Sequence, residues 1–158
     1  MPELSLGQRA PDITLPTDDG GMFRLAEHRK KPVVLTFYSD GTTEGCAIQN
    51  REFSDLMPEF GGLGAMVVAI APQPAKACAS FREKYGLGQI LAADPDLKTL
   101  KAYGLWAEKK LYGHVHMGVL RTSIIVDGAG KIAAILRATR IKGHAQKVLD
   151  AVRALVTG

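Results

Sequence analysis

Cysteine, long apolar runs and clustered charge are all scarce in this sequence, and each shortage excludes a class of protein. The two cysteines, Cys46 and Cys78, support neither a disulfide-rich framework nor a cysteine zinc site. No apolar run approaches the length of a membrane span. The net charge is +4, but lysine and arginine are interleaved with acidic residues and form no basic stripe. Nucleic acid is therefore not expected as a partner.

The composition that remains is typical of a globular protein, because 46% apolar and 23% charged residues provide for a core and a hydrated surface. The length of 158 residues suits one domain of ordinary size, so we expect residues 1–158 to form a single domain. The segment from Met1 to Ser5 lacks the charged and apolar parts of a secretion signal. We therefore expect a cytoplasmic protein with no membrane association.

Apolar runs separated by turn residues predict a mixed α/β fold. A short N-terminal hairpin comes first, with extended segments at 10–16 and 22–25 around a turn at 17–21. The patterns then predict, in order, a strand at 33–38, a helix from 46 to about 60, a strand at 65–71, a helix at 75–85, a strand at 90–93, a helix at 97–103, strands at 119–126 and 131–136, and a helix at 143–156. This order predicts a central mixed β-sheet flanked by helices, which is the thioredoxin fold.

Cys46 is the candidate nucleophile because it follows a β-rich run and a short polar loop at the start of a predicted helix. A thiol at a helix N-terminus faces free backbone N–H groups and the positive end of the helix dipole. Both favour the thiolate and lower the pKa of the cysteine from its usual value of about 8.5. Thr43, three residues earlier, has two readings that remain open. Its hydroxyl caps the helix, or it turns toward the sulfur or a ligand there.

Three stretches of the chain carry a pattern found together in one family. They are Thr43-x-x-Cys46 after Phe37-Tyr38; Tyr103-Gly104-Leu105-Trp106 with Glu108-Lys109-Lys110 and Tyr112-Gly113; and Met117-Gly118-Val119 followed by residues 121–127. In this order and spacing they resemble the peroxiredoxins, specifically the Q-type subgroup that includes bacterioferritin comigratory protein. The resemblance covers nearly the whole chain. It implies that Cys46 is the peroxidatic cysteine, that Thr43 contacts the peroxide and that Arg121 is the arginine of the pocket.

The resemblance also implies a function, that of a thiol peroxidase acting on hydrogen peroxide and alkyl hydroperoxides. The Cys46 thiolate would attack one oxygen of the O–O bond, giving a sulfenic acid and releasing water or an alcohol. The Arg121 guanidinium would stabilise the thiolate and the charge that develops on the leaving oxygen. By the same resemblance the enzyme is recycled by thioredoxin or another thiol reductant. We expect no cofactor, and a monomer or homodimer.

Three residues near Cys46 depart from the family pattern. Ser39 stands where the family usually has proline, and Glu44 where a proline or small apolar residue often precedes Gly-Cys. Gln49 stands where this subgroup often has glutamate. Loss of the proline is expected to admit water to the pocket, and an anionic Glu44 is expected to oppose the thiolate. We therefore expect a working but slower peroxidase.

The role of Cys78 is open between a resolving thiol and an ordinary core residue. The subgroup's resolving cysteine lies either five residues after the peroxidatic one, where this chain has Arg51, or on the next helix near Arg82. Cys78 lies one helical turn before Arg82, on the same helix face. A disulfide with Cys46 is then reachable if local unfolding of the Cys46 turn brings the Cα atoms within about 7 Å. Alternatively, Cys78 belongs to a core stripe with Phe81. We favour the resolving role.

Other interpretations of the sequence have less support. His114 and His116 would share one face of a strand, as metal ligands do, but no third ligand is near them, so no metal site is expected. A thiol–disulfide oxidoreductase on the same fold is disfavoured because the chain has no Cys-x-x-Cys and no proline after Pro95. A redox-sensing or binding module with weak turnover is the remaining alternative, and the departures at Ser39 and Glu44 motivate it.

Overall fold

The computed structural model describes residues 4–157, and their backbone forms one five-stranded sheet, two small hairpin sheets and five α-helices. The strands are β1 (Thr14–Pro16), β2 (Met22–Arg24), β3 (Val33–Phe37), β4 (Met66–Ala71), β5 (Ile90–Ala93), β6 (Trp106–Leu111), β7 (His114–Val119), β8 (Thr122–Val126) and β9 (Ile132–Arg137). The helices are α1 (Glu44–Asp55), α2 (Met57–Gly62), α3 (Ala75–Tyr85), α4 (Lys98–Ala102) and α5 (His144–Thr157). None of these helices is long and apolar enough to cross a membrane.

Strand β3 is the centre of the main sheet, whose spatial order is β5-β4-β3-β8-β9. The pairs β3–β4 and β4–β5 are parallel, as expected where a helical connection returns the chain to the same end of the sheet. The pairs β3–β8 and β8–β9 are antiparallel. The predicted central mixed sheet flanked by helices is therefore confirmed. The N-terminal hairpin of β1 and β2 is confirmed as well, and α3 and β5 have the predicted bounds.

Alternate residues of β3 pack into two hydrophobic clusters on opposite faces of the sheet. Leu35 and Phe37 join a cluster that also contains Tyr103. Val34 instead packs with Phe53 of α1 and with the buried face of α5. A third cluster contains both cysteines and side chains of α1 and α3. Every residue of β3 is buried, so packing on both faces of the sheet fixes the position from which the next loop begins.

The single helix predicted from residue 46 to about 60 is wrong, because the structure has two helices that meet at Leu56. Pro58 accounts for the break. A proline inside a helix lacks the N–H donor and clashes with the carbonyl four residues earlier, whereas it fits the first turn of a new helix. Pro58 lies in the first turn of α2, so the polypeptide restarts its helix there.

The single strand predicted for residues 119–126 is also wrong, since β7 ends at Val119 and β8 begins at Thr122. The chain changes sheets at this break, from the β6–β7 hairpin to the central sheet. Thr122 pairs with Phe37, the last residue of β3. Arg121 is consequently placed beside the end of β3, where the cysteine loop begins.

Candidate active site

A polar loop between β3 and α1 presents Cys46 at the end of the central strand. Asp40 organises this loop, because its Oδ1 accepts hydrogen bonds from the backbone N–H groups of Thr42 at 2.7 Å and Thr43 at 3.1 Å. Thr43 is the N-cap of α1, and its Oγ1 accepts a hydrogen bond from the N–H of Cys46 at 3.3 Å. Cys46 therefore lies in the first turn of the helix, with its side chain buried.

Hydrogen-bond donors from several elements converge on the sulfur of Cys46. Ser39 Oγ and Arg121 Nη1 each lie 3.2 Å from Sγ. Burial is the largest influence on this thiol and acts to raise its pKa. Hydrogen bonds from Ser39 and Thr43, aided by the Asp40 backbone N–H and the guanidinium charge, act in the opposite direction. Their sum outweighs burial, so the pKa of Cys46 lies below its ordinary value.

Arg121 is held by a second contact besides the sulfur. Its Nη1 also donates a hydrogen bond to Gln49 Oε1 at 3.1 Å, so one nitrogen joins the sulfur to a side chain on the next turn of α1. Gly45 leaves the space that this arrangement needs. A Cβ at position 45 would lie 3.7 Å from Arg121 Nη2 and only 2.7 Å from Ile141 Cδ1. A side chain at this position would therefore force the end of the Ile141 side chain to move.

Thr43 has the capping role, one of the two readings that the sequence left open. Its Oγ1 accepts from the Cys46 backbone N–H, which is the capping role, and its hydroxyl also lowers the pKa of the Cys46 thiol. A hydroxyl can do both because it has one hydrogen to donate and two lone pairs to accept. The structure thus brings Cys46, Thr43 and Arg121 together at one point.

The departures from the family pattern take specific places in this site. Ser39 contacts the sulfur directly, so the loss of the proline adds a hydrogen-bond donor. Glu44 is exposed in the first turn of α1, where the helix dipole stabilises a carboxylate. Ser39 and Gln49 are functional contacts that the sequence interpretation treated only as deviations. The spacing of Gln49, three residues after Cys46 and thus on a neighbouring part of the helix surface, was a signal for its contact with the site.

Cys78 lies in the first turns of α3 and is fully buried, in a cluster with Tyr38, Cys46 and Phe81. Both thiols are free. Burial raises the pKa of Cys78, and the nearby Tyr38 hydroxyl offsets this only in part. Tyr38 Oη has no hydrogen-bond partner of standard geometry among the described residues. Cys78 is therefore a core thiol whose pKa is raised, whereas the pKa of Cys46 is lowered.

The histidines considered as metal ligands, His114 and His116, lie exposed on β7. Within residues 4–157, no group of three or more His, Cys, Asp or Glu side chains is arranged to hold a metal ion. The chemistry that the site itself supports is nucleophilic. It combines a buried thiol of lowered pKa with a guanidinium and hydroxyl donors that can hold an electrophile beside it.

Comparison with known proteins finds a matching family and similar chains. Residues 6–135 match the model of the AhpC/TSA family. The chain is 36% identical over 152 residues to the putative peroxiredoxin bcp of Helicobacter pylori, covering 96% of this chain and 100% of that protein. It is 29% identical over 150 residues to peroxiredoxin Bcp of Bacillus subtilis, covering 95% and 96% of the two chains.

A solved structure is similar along the whole chain. The bacterioferritin comigratory protein of Xanthomonas campestris, studied for alkyl peroxide reduction, superposes with a TM-score of 0.88 at 27% identity. The superposition covers 97% of this chain and 98% of that one.

Proposed function

Because the chain belongs to the AhpC/TSA family and is a peroxiredoxin of the Q-type subgroup, a thiol-dependent peroxidase, we propose that Cys46 is its peroxidatic cysteine. The observation that carries the assignment is the 3.2 Å contact between the guanidinium of Arg121 and the sulfur. A fixed cation beside a buried thiol stabilises the thiolate, which is the nucleophilic form. The substrates in this proposal are hydrogen peroxide and alkyl hydroperoxides.

The reaction that these residues support begins with attack of the Cys46 thiolate on one oxygen of the peroxide. The S–O bond forms as the O–O bond breaks, which oxidises the sulfur to a sulfenic acid and leaves hydroxide or an alkoxide. The leaving oxygen takes up a proton and departs as water or an alcohol. Arg121 opposes the negative charge that moves from sulfur to oxygen, and the Thr43 hydroxyl helps to align the peroxide with the sulfur.

The proposal assigns the second half of the cycle to Cys78 as the resolving cysteine. Once exposed, the Cys78 thiol loses its proton and the thiolate attacks the sulfenic sulfur of Cys46. The S–S bond forms as the S–O bond breaks, and the hydroxide released takes up a proton and leaves as water. Thioredoxin, or a similar cytoplasmic dithiol protein, then reduces the disulfide and becomes oxidised itself. Both cysteines lie in one hydrophobic cluster, which supports an intramolecular pair, but both are buried and one must move.

The first turn of α3 is the segment that we propose to open. Its N-cap, Pro74, makes no side-chain capping hydrogen bond, and the turn has no acidic residue to complement the helix dipole. The other end of α3 is fastened by Arg82, which binds the Asp18 carboxylate and the carbonyls of Leu87 and Gln89. Fraying of residues 75–78 would therefore release Cys78 without breaking the contacts of Arg82.

Consumption of hydrogen peroxide with a thiol donor tests the assignment of Cys46. We expect Cys46→Ser to abolish turnover while the fold is retained. Cys78→Ser is the matched control and should still be oxidised once by peroxide, with its later reduction left to external thiols. Residual turnover in Cys46→Ser would refute the assignment. Oxidation of the wild type without repeated turnover would indicate a redox sensor instead.

Intact mass after one equivalent of hydrogen peroxide tests the role of Cys78. Loss of two hydrogens from a monomer, with no thiol left to block, would support an intramolecular disulfide between Cys46 and Cys78. Gain of one oxygen on Cys46, with Cys78 still open to a blocking reagent, would contradict it and point to resolution by an external thiol.

A further inference from the structure

A continuous chain of buried hydrogen bonds runs from the active site through the central sheet to the first residue of α5. Arg121 Nη1 donates to Gln49 Oε1 at 3.1 Å, and Gln49 Nε2 donates to Thr36 Oγ1 at 2.9 Å. Ser123 Oγ donates to the same Thr36 oxygen at 3.0 Å, and Ser123 Oγ lies 2.8 Å from His144 Nε2. Gln49, Thr36, Ser123 and His144 are all buried.

The direction of each bond in this chain follows from the donors available. Ser123 has one hydroxyl hydrogen, and it is used on Thr36, so its oxygen accepts from His144 Nε2–H. Burial lowers the pKa of His144, and the charges of Lys147 and Arg121 lower it further, so all three favour the neutral imidazole. A neutral imidazole carries one N–H, and the tautomer with this hydrogen on Nε2 is the one that complements the Ser123 oxygen.

The amide of Gln49 is the member of the chain whose orientation matters for the sulfur. Arginine can only donate, so the amide oxygen must face Arg121 and the NH₂ group must face away. An amide turned by 180° would point its N–H groups at the guanidinium and break the contact. The Thr36 oxygen prevents this because it accepts from the Gln49 NH₂ group.

We propose that His144, acting through Ser123 and Thr36, is a positioning residue that fixes the side-chain amide of Gln49 and thereby holds Arg121 against the Cys46 sulfur. This inference rests on the proposed function of Cys46. His144 touches neither the sulfur nor the place where a peroxide would bind. It keeps the Ser123 hydroxyl directed at Thr36, which leaves the Thr36 oxygen oriented as an acceptor for Gln49.

Replacement of Gln49 by glutamate distinguishes orientation from general stability. A carboxylate has two equivalent oxygens, so it accepts from Arg121 in either orientation and needs nothing to fix it. Substitutions at Ser123 and His144 should then change the titration of Cys46 in the native background and have little effect on it in a Gln49→Glu background. A residue that only supports the packing of α5 would matter equally in both.

The test measures the thiolate absorbance of Cys46 near 240 nm against pH, with Cys46→Ser variants as references, and the second-order rate constant for hydrogen peroxide. Ser123→Ala and His144→Ala should move the titration to higher pH. They should also slow the reaction about tenfold at neutral pH, the effect of weakening a hydrogen bond to a charged group. His144→Gln places an N–H close to the position of Nε2 and should restore most of the native value.

In the Gln49→Glu background, the same two alanine substitutions should change the titration and the rate constant less than twofold. Equal losses in both backgrounds, or an unchanged titration in Ser123→Ala, would overturn the proposal. Val148→Ala, a buried truncation one turn along α5, is the matched control and should lower stability without moving the titration. The thiol titration needs no turnover, so a wild type that lacks peroxidase activity would refute the proposed function and still leave this inference testable.

Discussion

Among individual residues, Ser39 makes a direct contact with the reactive thiol, since its hydroxyl oxygen lies 3.2 Å from the Cys46 sulfur. A thiolate can only accept, so in the reactive form Ser39 must be the donor. This residue was expected to weaken the site by replacing a proline. The contact instead adds a hydrogen bond that favours the thiolate.

We expect Ser39→Ala to raise the pKa of Cys46. Only the thiolate reacts, so the rate of peroxide reduction rises with pH through the pKa of Cys46 and then levels off. The whole profile should therefore move to higher pH in the variant. At a pH below both pKa values the rate should fall about tenfold, because a hydrogen bond to a charged group contributes about 1.5 kcal/mol or more. Stopped-flow rates across pH test this, with the exposed Ser80→Ala as the control. An unshifted profile would show that water replaces the hydroxyl fully.

Arg121→Lys keeps the positive charge but should still slow the reaction with peroxide by roughly 10- to 100-fold. A lysine ammonium is a strongly hydrated point charge on a flexible stem, whereas the rigid, weakly hydrated guanidinium is held in place by its hydrogen bonds to the Cys46 sulfur and Gln49 Oε1. The measurement is the second-order rate constant at a pH where Cys46 is ionised in both proteins. Arg137→Lys, on the neighbouring strand β9, is the matched control. Equal rates for Arg121→Lys and the wild type would mean that charge alone suffices.

How far these residues were predictable depends on whether local sequence or the folded chain brings them together. Cys46 and Thr43 share one strand–loop–helix segment, so their proximity follows from spacing alone. Arg121 is 75 positions from Cys46, and only the family resemblance pointed to it. The bond to Ser39 and the link from Gln49 to His144 depend on how the loop and α5 pack against the sheet. No periodicity in the sequence encodes these contacts.

At the scale of elements, helix α3 is held by more side-chain contacts at its C-terminal end than at its N-terminal end. Arg82 near its C-terminal end makes a salt bridge to Asp18, whose side chain is only 5% exposed, and also binds two backbone carbonyls. The first turn, with Cys78, lacks any side-chain cap. This asymmetry favours opening at the end of the helix that carries the cysteine, as proposed above.

We expect Arg82→Met to lower the free energy of unfolding by about 2–4 kcal/mol, because it leaves the buried Asp18 carboxylate without its partner. Chemical denaturation measures this change. Lys84→Met, an exposed substitution on the same helix, should change the free energy by no more than about 0.5 kcal/mol. A loss below about 1 kcal/mol in Arg82→Met would mean that water replaces the guanidinium at Asp18.

Strands could be predicted from the sequence where they consist of a continuous apolar run. The apolar runs of β3, β4 and β5 are buried strands, and their pattern was unambiguous. The hairpin of β6 and β7 was not predicted because most of β7 is exposed and shows no apolar alternation. Its turn has Tyr112 at a positive φ of 52°, followed by Gly113. The asparagine or aspartate that usually precedes glycine in such a turn, and would have indicated a hairpin, is absent.

At the scale of the whole molecule, the fold followed from the order of its elements. Parallel strands need crossover helices, and the late Asp127-Gly128-Ala129-Gly130 turn forces an antiparallel pair, so few topologies were compatible with the sequence. The formation of one domain by residues 1–158 stays a prediction. The hydrogen-bonded chain from α5 to α1 could not be predicted, since it joins side chains far apart in the sequence, such as Ser123 and Thr36, which are 87 positions apart.

His144 also links the active site to the stability of the whole molecule at acid pH. Burial lowers its pKa in the folded state below the ordinary histidine value of 6.5, so over part of the acid range the unfolded chain binds a proton that the folded chain does not. Stability from the neutral imidazole is therefore complete above pH 6.5 and is lost as the pH falls below this value. The slope cannot exceed about 1.4 kcal/mol per pH unit for one group.

We expect the free energy of unfolding to fall between pH 7 and pH 5 in the wild type and to fall less in His144→Gln, which has no group that titrates there. Denaturant unfolding at several pH values measures the difference. Comparing the two proteins cancels the contributions of other groups, including Asp94, whose pKa burial raises. Parallel pH dependences would mean that His144 is protonated equally in the folded and unfolded states. The imidazole could then not be the neutral donor that Ser123 requires, so this equilibrium measurement also tests the positioning of Arg121.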